Sequence, residues 1–339
     1  MSRAPRRRVG GMAGSALLLL LAVLLVLAVL LSLAVGSRQI APGVVVDALL
    51  HGGTGDDAHV VRSLRAPRTL IGVMVGVALA IAGTVMQGIT RNPIAEPGIL
   101  GVSQGASVGV VCAIALFGVH SLTGYVWFAF AGAGIAAVAV HVIAAGGRGG
   151  ATPVKLALAG TAMNALLASL VSGIVTTDAR TLDEFRFWNV GSISGRTLDV
   201  AGQIWPFLLA GVLLVAALAR GLDALALGDD VARGLGHNVP LLRILGGLAA
   251  TVLTGVAVAA AGPIAFTGLA VPHIARALMG TDHRWVLPAA ALLGPVMILV
   301  ADVIGRVVFA PSEVPVAVMT ALLGVPFLIA LVRRKAVAA

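Results

Sequence analysis

The chain has 339 residues, 59% hydrophobic and 11% charged, with a formal net charge of +9. Soluble domains run at roughly 45–50% apolar and about 25% charged, so composition excludes a water-soluble globular fold for most of the chain and points to a bilayer. The basic residues sit at the ends of apolar runs rather than in a stripe with aromatics, which excludes a nucleic-acid surface, and one cysteine, Cys112, leaves no disulfide or cysteine-built metal site within the chain.

In chain order, MSRAPRRR precedes an uncharged run whose residues 15–35 number 21. As a helix that run is about 31 Å long, enough to span a hydrocarbon core and longer than the roughly 7–15 residues of a signal-peptide core. A polar loop is expected from 37 to about 66. Further apolar runs follow at about 69–89, 98–118, 122–145 and 153–176, then a polar segment at 177–200. Beyond it lie runs at about 201–219, 241–262, 264–279, 285–305 and 314–332. The expected fold is an all-α polytopic membrane protein of about ten transmembrane helices, the eighth short and broken by Pro272.

Threading ten spans with the N-terminus inside puts 15 basic residues on the inner side, among them Arg3, Arg6, Arg7, Arg8 and Arg148, against 8 outside. This is the positive-inside bias. Trp127, Trp188, Trp205 and Trp285 fall near run ends, as interfacial aromatics do.

Three segments carry the local chemistry. TRNPIAEPGILGVSQGASVG, residues 90–109, breaks the helical path at Pro93 and Pro97, and such backbone is tolerated at membrane depth only where protein covers it or it borders a water-filled cavity. It is expected at the inner mouth of a pathway. Gly101, Gly105 and Gly109 then leave a smooth helix face for close packing. Residues 101–105 also fit G-x-S-x-G, but a break followed by a membrane helix is the wrong context for a hydrolase nucleophile, and Ser103 is expected to cap the helix instead. The second segment, RGLDALALGDDVARGLGHNVPLLR at 220–243, is a polar island divided by Gly228, Gly234 and Gly236. It is expected to form two stubby helices, either a solvated connector or a docking knob for a soluble partner. The third, around the broken eighth span, holds His273, read as structural because no suitably spaced ligands accompany it.

Lys155 and Lys335, the only lysines, do not lie in a phosphate-binding loop, so no ATPase site is expected in this chain. An ion-coupled secondary transporter is the alternative class. It would carry ionisable residues near the midplane, where the spans are nearly bare apart from His141.

Arg65-Ala66-Pro67-Arg68, the block 87–106, Phe187-Trp188, Gly191-Ser192, Leu227-Gly228, residues 262–276 (GPIAFTGLAVPHIAR), Thr281-Asp282-His283-Arg284 and the stretch Asp302 to Arg306 resemble the FecCD family of ABC importer permeases. These are membrane subunits that take up ferric siderophores, cobalamin or haem. The likeness runs from about 37 to 334, and residues 262–276, 282–285 and 331–335 look most like the iron-enterobactin branch.

The resemblance implies a type II ABC importer permease fold in one transmembrane domain over 1–339. Its inverted repeats would lie at about 67–176 and 241–332, with a cytoplasmic coupling segment at about 220–243. It implies that Arg65, Arg68 and Arg306 receive acidic residues of an extracytoplasmic binding protein, that Asn92 and Ile94 form the cytoplasmic gate, and that Leu227, Gly228, Asp229, Asp230, Arg233, Gly234, Leu235 and Gly236 contact an ATPase. Read singly, each docking arginine could instead be an interfacial snorkelling residue. The partners implied are two ATPase subunits that bind ATP and Mg, a second permease subunit (a heterodimer favoured over a homodimer) and the binding protein. The implied substrate is a ferric siderophore, with cobalamin or haem as alternatives, and the implied location is the cytoplasmic membrane with both termini inside.

Overall fold

The computed structural model describes residues 11–36, 38–53, 55–146 and 152–336. Arg3, Arg6, Arg7, Arg8 and Arg148 of the expected charge bias lie outside them. The described residues form fourteen α-helices and no strand. They are α1 (Gly11–Ala34), α2 (Pro42–Leu50), α3 (Asp56–His59), α4 (Ala66–Thr90), α5 (Val102–Phe117), α6 (Leu122–Ala145), α7 (Pro153–Val175), α8 (Ala179–Asn189), α9 (Leu198–Ala226), α10 (Asp229–Gly234), α11 (Val239–Ala261), α12 (Thr267–Met279), α13 (His283–Val308) and α14 (Val316–Ala336). Among the described residues seven helical segments are long and apolar enough to cross a membrane; α5, α12 and the apolar part of α14 stand where the three remaining spans were expected.

The stretch expected as a polar loop at 37–66 is largely helical. A π turn, Val60–Arg65, joins α3 to α4, so one rod runs from Asp56 to Thr90 over 35 residues. Asp56 and Asp57 suit its N-terminal dipole, and Val45, Ala48, Ala58 and Val61 close a small core between the rod and α2. The polar stretch at 177–200 likewise holds α8, capped by Asp178, which accepts from Arg180 N and Thr181 N.

Helices α4 and α11 are buried on most of their surface and pack against each other at the centre, as helices apolar all round must. Each ends at a break and is followed by a short helix: α4 by residues 91–101 and α5, α11 by residues 262–266 and α12. The short helix and its successor in each half cross over to the other half's central helix, α5 and α6 onto α11, α12 and α13 onto α4. The two halves thus share one contact pattern, as repeats of a transporter fold do.

Glycines set the closest approaches. A Cβ at Gly83 would overlap Gly268 O, one at Gly76 the backbone of Gly294 and Pro295, and one at Gly105 the carbonyl of Gly132. Gly105 and Gly109 therefore serve the α5–α6 contact as expected, whereas Ser103 makes no cap: Gly101, at φ +77°, is the N-cap residue of α5. Trp188 is not an interfacial anchor either. It is 2% exposed and lies against Phe185.

Candidate functional site

Two ionic sites occupy opposite ends of this bundle. At the first, the end of α1, the start of α4, the end of α13 and the loop after α8 enclose a cavity of about 420 Å³. Arg38, Arg65, Arg68, Arg196 and Arg306 line it, with Glu313 the only acid among the described lining residues. Arg65, Arg68 and Arg306 are brought together here, but they are 6%, 8% and 2% exposed and are built into the wall.

Asp302, 1% exposed, sits between two of them. Arg68 donates from Nη2 to its Oδ1 at 2.7 Å and from Nε to its Oδ2 at 3.0 Å, a guanidinium fork on a carboxylate. Arg306, one turn beyond Asp302 on α13, brings Nε to 3.1 Å from Oδ2, an ion pair rather than an aligned hydrogen bond. Arg306 also donates to Ser32 O at 3.0 Å and Ser32 Oγ at 3.1 Å, which ties α13 to α1. Arg68 Nη1 reaches Glu313 at 2.6 Å and Ser194 Oγ at 3.2 Å, drawing in the loops before α9 and α14. Arg65 donates to the carbonyls of Leu33, at 2.8 Å, and Arg38.

At the opposite end α9 does not stop where a stubby helix was expected; it runs to Ala226, and only α10 is a short separate helix. Leu241 and Arg243 already belong to α11. The turn between α9 and α10 needs Gly228, which sits at φ +118°. Leu227, Val231 and Leu235 recur every four residues and are 57%, 47% and 61% exposed, so the cap offers an apolar stripe. Asp230 pairs with Arg233 at 2.9 Å on its surface. Asp229 turns inward: Arg243, in the first turns of α11, donates to it at 3.0 Å, and Arg91, at the end of α4, stands 3.8 Å away. Nearby, Asp223 on α9 accepts from the backbone N–H of His283, at 3.0 Å, and lies 2.6 Å from its ring Nδ1, holding α9 to the start of α13.

Between the two ends the breaks meet. Asn92 Oδ1 accepts from Ile94 N at 3.1 Å, forming a tight turn that leaves Ile94 52% exposed. Glu96 Oε1 accepts from Phe266 N at 3.2 Å, so a carboxylate of the first break stands at the N-terminus of α12. Phe266 is one of two non-glycine residues with positive φ among the described residues, and Gly324 leaves room for its ring. Gln87 donates to Leu269 O at 3.2 Å and accepts from Arg276. The ring of His273 stacks edge-on against Phe327.

Sequence reasoning missed Glu96, Arg196 and the Asp223–His283 pair. Glu96 had a signal: it is the one acidic residue between Asp57 and Asp178. Arg196, in a polar loop, had none.

The helical bundle with two broken half-spans and an ionic site at each end defines a polytopic membrane permease of the type II ABC importer fold. Residues 24–334 match the model of the FecCD transport family, and the chain belongs to that family. It is 45% identical over 329 residues to the ferric enterobactin transport system permease protein of Escherichia coli (strain K12), covering 97% of this chain and 96% of that protein. It is 42% identical over 313 residues to the iron(3+)-hydroxamate import system permease protein of Bacillus subtilis (strain 168), covering 89% and 79%. An inward-facing structure of a metal-chelate type ABC transporter superposes with a TM-score of 0.83 at 28% identity, over 94% of this chain and 99% of that one.

Proposed function

We propose that this chain is the membrane subunit of an ABC importer that carries a ferric siderophore across the cytoplasmic membrane, driven by ATP hydrolysed on two partner subunits that bind ATP and Mg. The observation that carries this reading is the near full-length likeness to the enterobactin permease. The opposed ends of the bundle support it. In this reading the α10 end and both termini face the cytoplasm, in line with the distribution of basic residues. The stripe Leu227, Val231, Leu235, with Gly228, Asp230, Arg233, Gly234 and Gly236 around it, seats in the ATPase, while Asp229 relays its movement to α4 and α11. A second permease subunit, in a heterodimer, completes the pathway. Ile94, held out by Asn92, closes its cytoplasmic side. The repeats span about 67–176 and 241–332, and the segment 220–243 is the coupling element.

The recess of Arg65, Arg68 and Arg306 faces outward and receives carboxylates of an extracytoplasmic binding protein, for which charge complementarity sets register and association rate. ATP binding and hydrolysis drive packed helices between outward-open and inward-open arrangements as rigid units. The test is uptake of radiolabelled ferric siderophore into proteoliposomes holding the purified complex and its binding protein. Uptake should require hydrolysable ATP, and uptake driven by an ion gradient without the ATPase would overturn the reading.

A further inference from the structure

The five guanidiniums of the recess are not equally occupied. Arg68 and Arg306 share Asp302, Arg68 also holds Glu313, and Arg38 pairs with Asp57 at 3.0 Å. Arg65 and Arg196 have no carboxylate within ion-pair distance among the described residues. Arg65 is satisfied by the carbonyls of Leu33 and Arg38. Arg196 is 6% exposed and donates from Nε to Ser192 O at 3.3 Å, while its terminal nitrogens meet no acceptor among the described residues and face the cavity. Burial without an acid beside it lowers this guanidinium to about 10, so it stays charged at neutral pH.

A buried cation without a counter-ion is costly, and an entering carboxylate recovers that cost. Glu313 is already engaged by Arg68, so the uncompensated charge in the wall amounts to two cations. That suits one or two carboxylates of a protein surface and not a highly charged polyanion.

We propose that the acidic docking group of the binding protein seats between Arg65 and Arg196, which makes Arg196 a docking residue and leaves Arg68 and Arg306, closed by Asp302, to hold the wall in shape. This rests on the docking reading above and changes which arginines carry it. Ser194 fixes the loop: Arg68 donates to its hydroxyl and its backbone N–H donates to Ser192 Oγ at 3.1 Å, two residues from Arg196. Arg68 thus positions Arg196 without contacting the partner.

The test measures binding of the siderophore-loaded binding protein to the permease–ATPase complex in lipid nanodiscs, at low and high salt. R65Q and R196Q should each weaken binding by on the order of tenfold and flatten its salt dependence, while R196K retains most of the affinity. R196Q binding like wild type while R65Q is weakened would overturn the inference and leave the docking reading standing. Both variants binding like wild type would also overturn the inference, and the docking reading itself falls only if R68Q and R306Q bind like wild type too. In the wild-type complex, phenylglyoxal labelling read by mass spectrometry should modify Arg196 in the free state and be blocked by the binding protein. Absence of labelling, or labelling without protection, also overturns the inference, and this arm does not depend on any variant assembling.

Discussion

Each end of the bundle holds a carboxylate between two arginines drawn from different helices, and solvent makes the two arrangements unlike. Asp302 is 1% exposed, and the side chains of Arg68 and Arg306 are 10% and 3% exposed; its counterpart Asp229 is 27% exposed, with Arg243 at 20% and Arg91 at 49%. A buried pair gains little net stability over an apolar filling, yet removing one member strands the others in a medium that cannot solvate them. A half-exposed pair loses little when broken, because water replaces the partner. The recess end is therefore ionic and fixed, the α10 end ionic and adjustable, although the two look alike as residue types.

The sharpest way to break this comparison is Asp302→Ala, which should destabilise the permease by about 3–5 kcal/mol in denaturant unfolding in mixed micelles. A loss below about 1 kcal/mol would mean that the recess is held by its apolar surroundings instead. Next in size is Gly83→Ala, whose methyl overlaps Gly268 O. It is expected to cost about 1–3 kcal/mol by overpacking, and an unchanged melting temperature would show that α12 shifts freely against α4. Glu96→Ala leaves Phe266 N without its acceptor and should cost about 1–3 kcal/mol; a neutral result would remove the link between the two breaks.

Asp229→Ala should change stability by only about 0–1 kcal/mol while abolishing ATP-dependent uptake, and normal uptake would refute its part in coupling. The smallest effect concerns Glu184 on α8, at the recess end and 25% exposed. A hydrogen bond from His120, with a further one from Arg180, holds its carboxyl below the usual carboxylate range. A depressed folded value stabilises above the unfolded one and is lost as pH falls through the folded value. The attachment of α8 to the α5–α6 loop should thus loosen only below about pH 4.5, read as a fall in the amide protection factors of α8 relative to the intrinsic exchange rate at each pH. Exchange already at its maximum at neutral pH would show that this surface cluster contributes nothing.

Much of the fold was legible because its signal is additive. Long apolar runs bounded by arginine, glycine and proline place helices within a few residues, as at 122–145, where the run and α6 coincide. The misreadings arose where a polar stretch folds through tertiary contact. Residues 56–65 look like loop by composition, but their apolar positions Ala58 and Val61 pack on α2. Of the site, the residue types of Arg65, Arg68, Asp302 and Arg306 were readable, while the grouping of the three arginines followed from the family resemblance and not from their spacing. Which of them is already neutralised was not readable, since Glu313 and Ser194 approach Arg68 from 245 and 126 residues away. Sequence spacing carries no record of that.

Helix α4 joins the two ends over 25 residues, about 37 Å. Where it meets α12 and α13, at Gly83 and Gly76, backbone rests directly on backbone. A side chain at such a crossing could change rotamer and absorb a small displacement, but a carbonyl against a glycine Cα has no such slack. On the coupling proposed above, a push delivered to Thr90 through Arg91 would travel along α4 with little loss, and the gearing would lie in this shaft rather than in any spring at its ends.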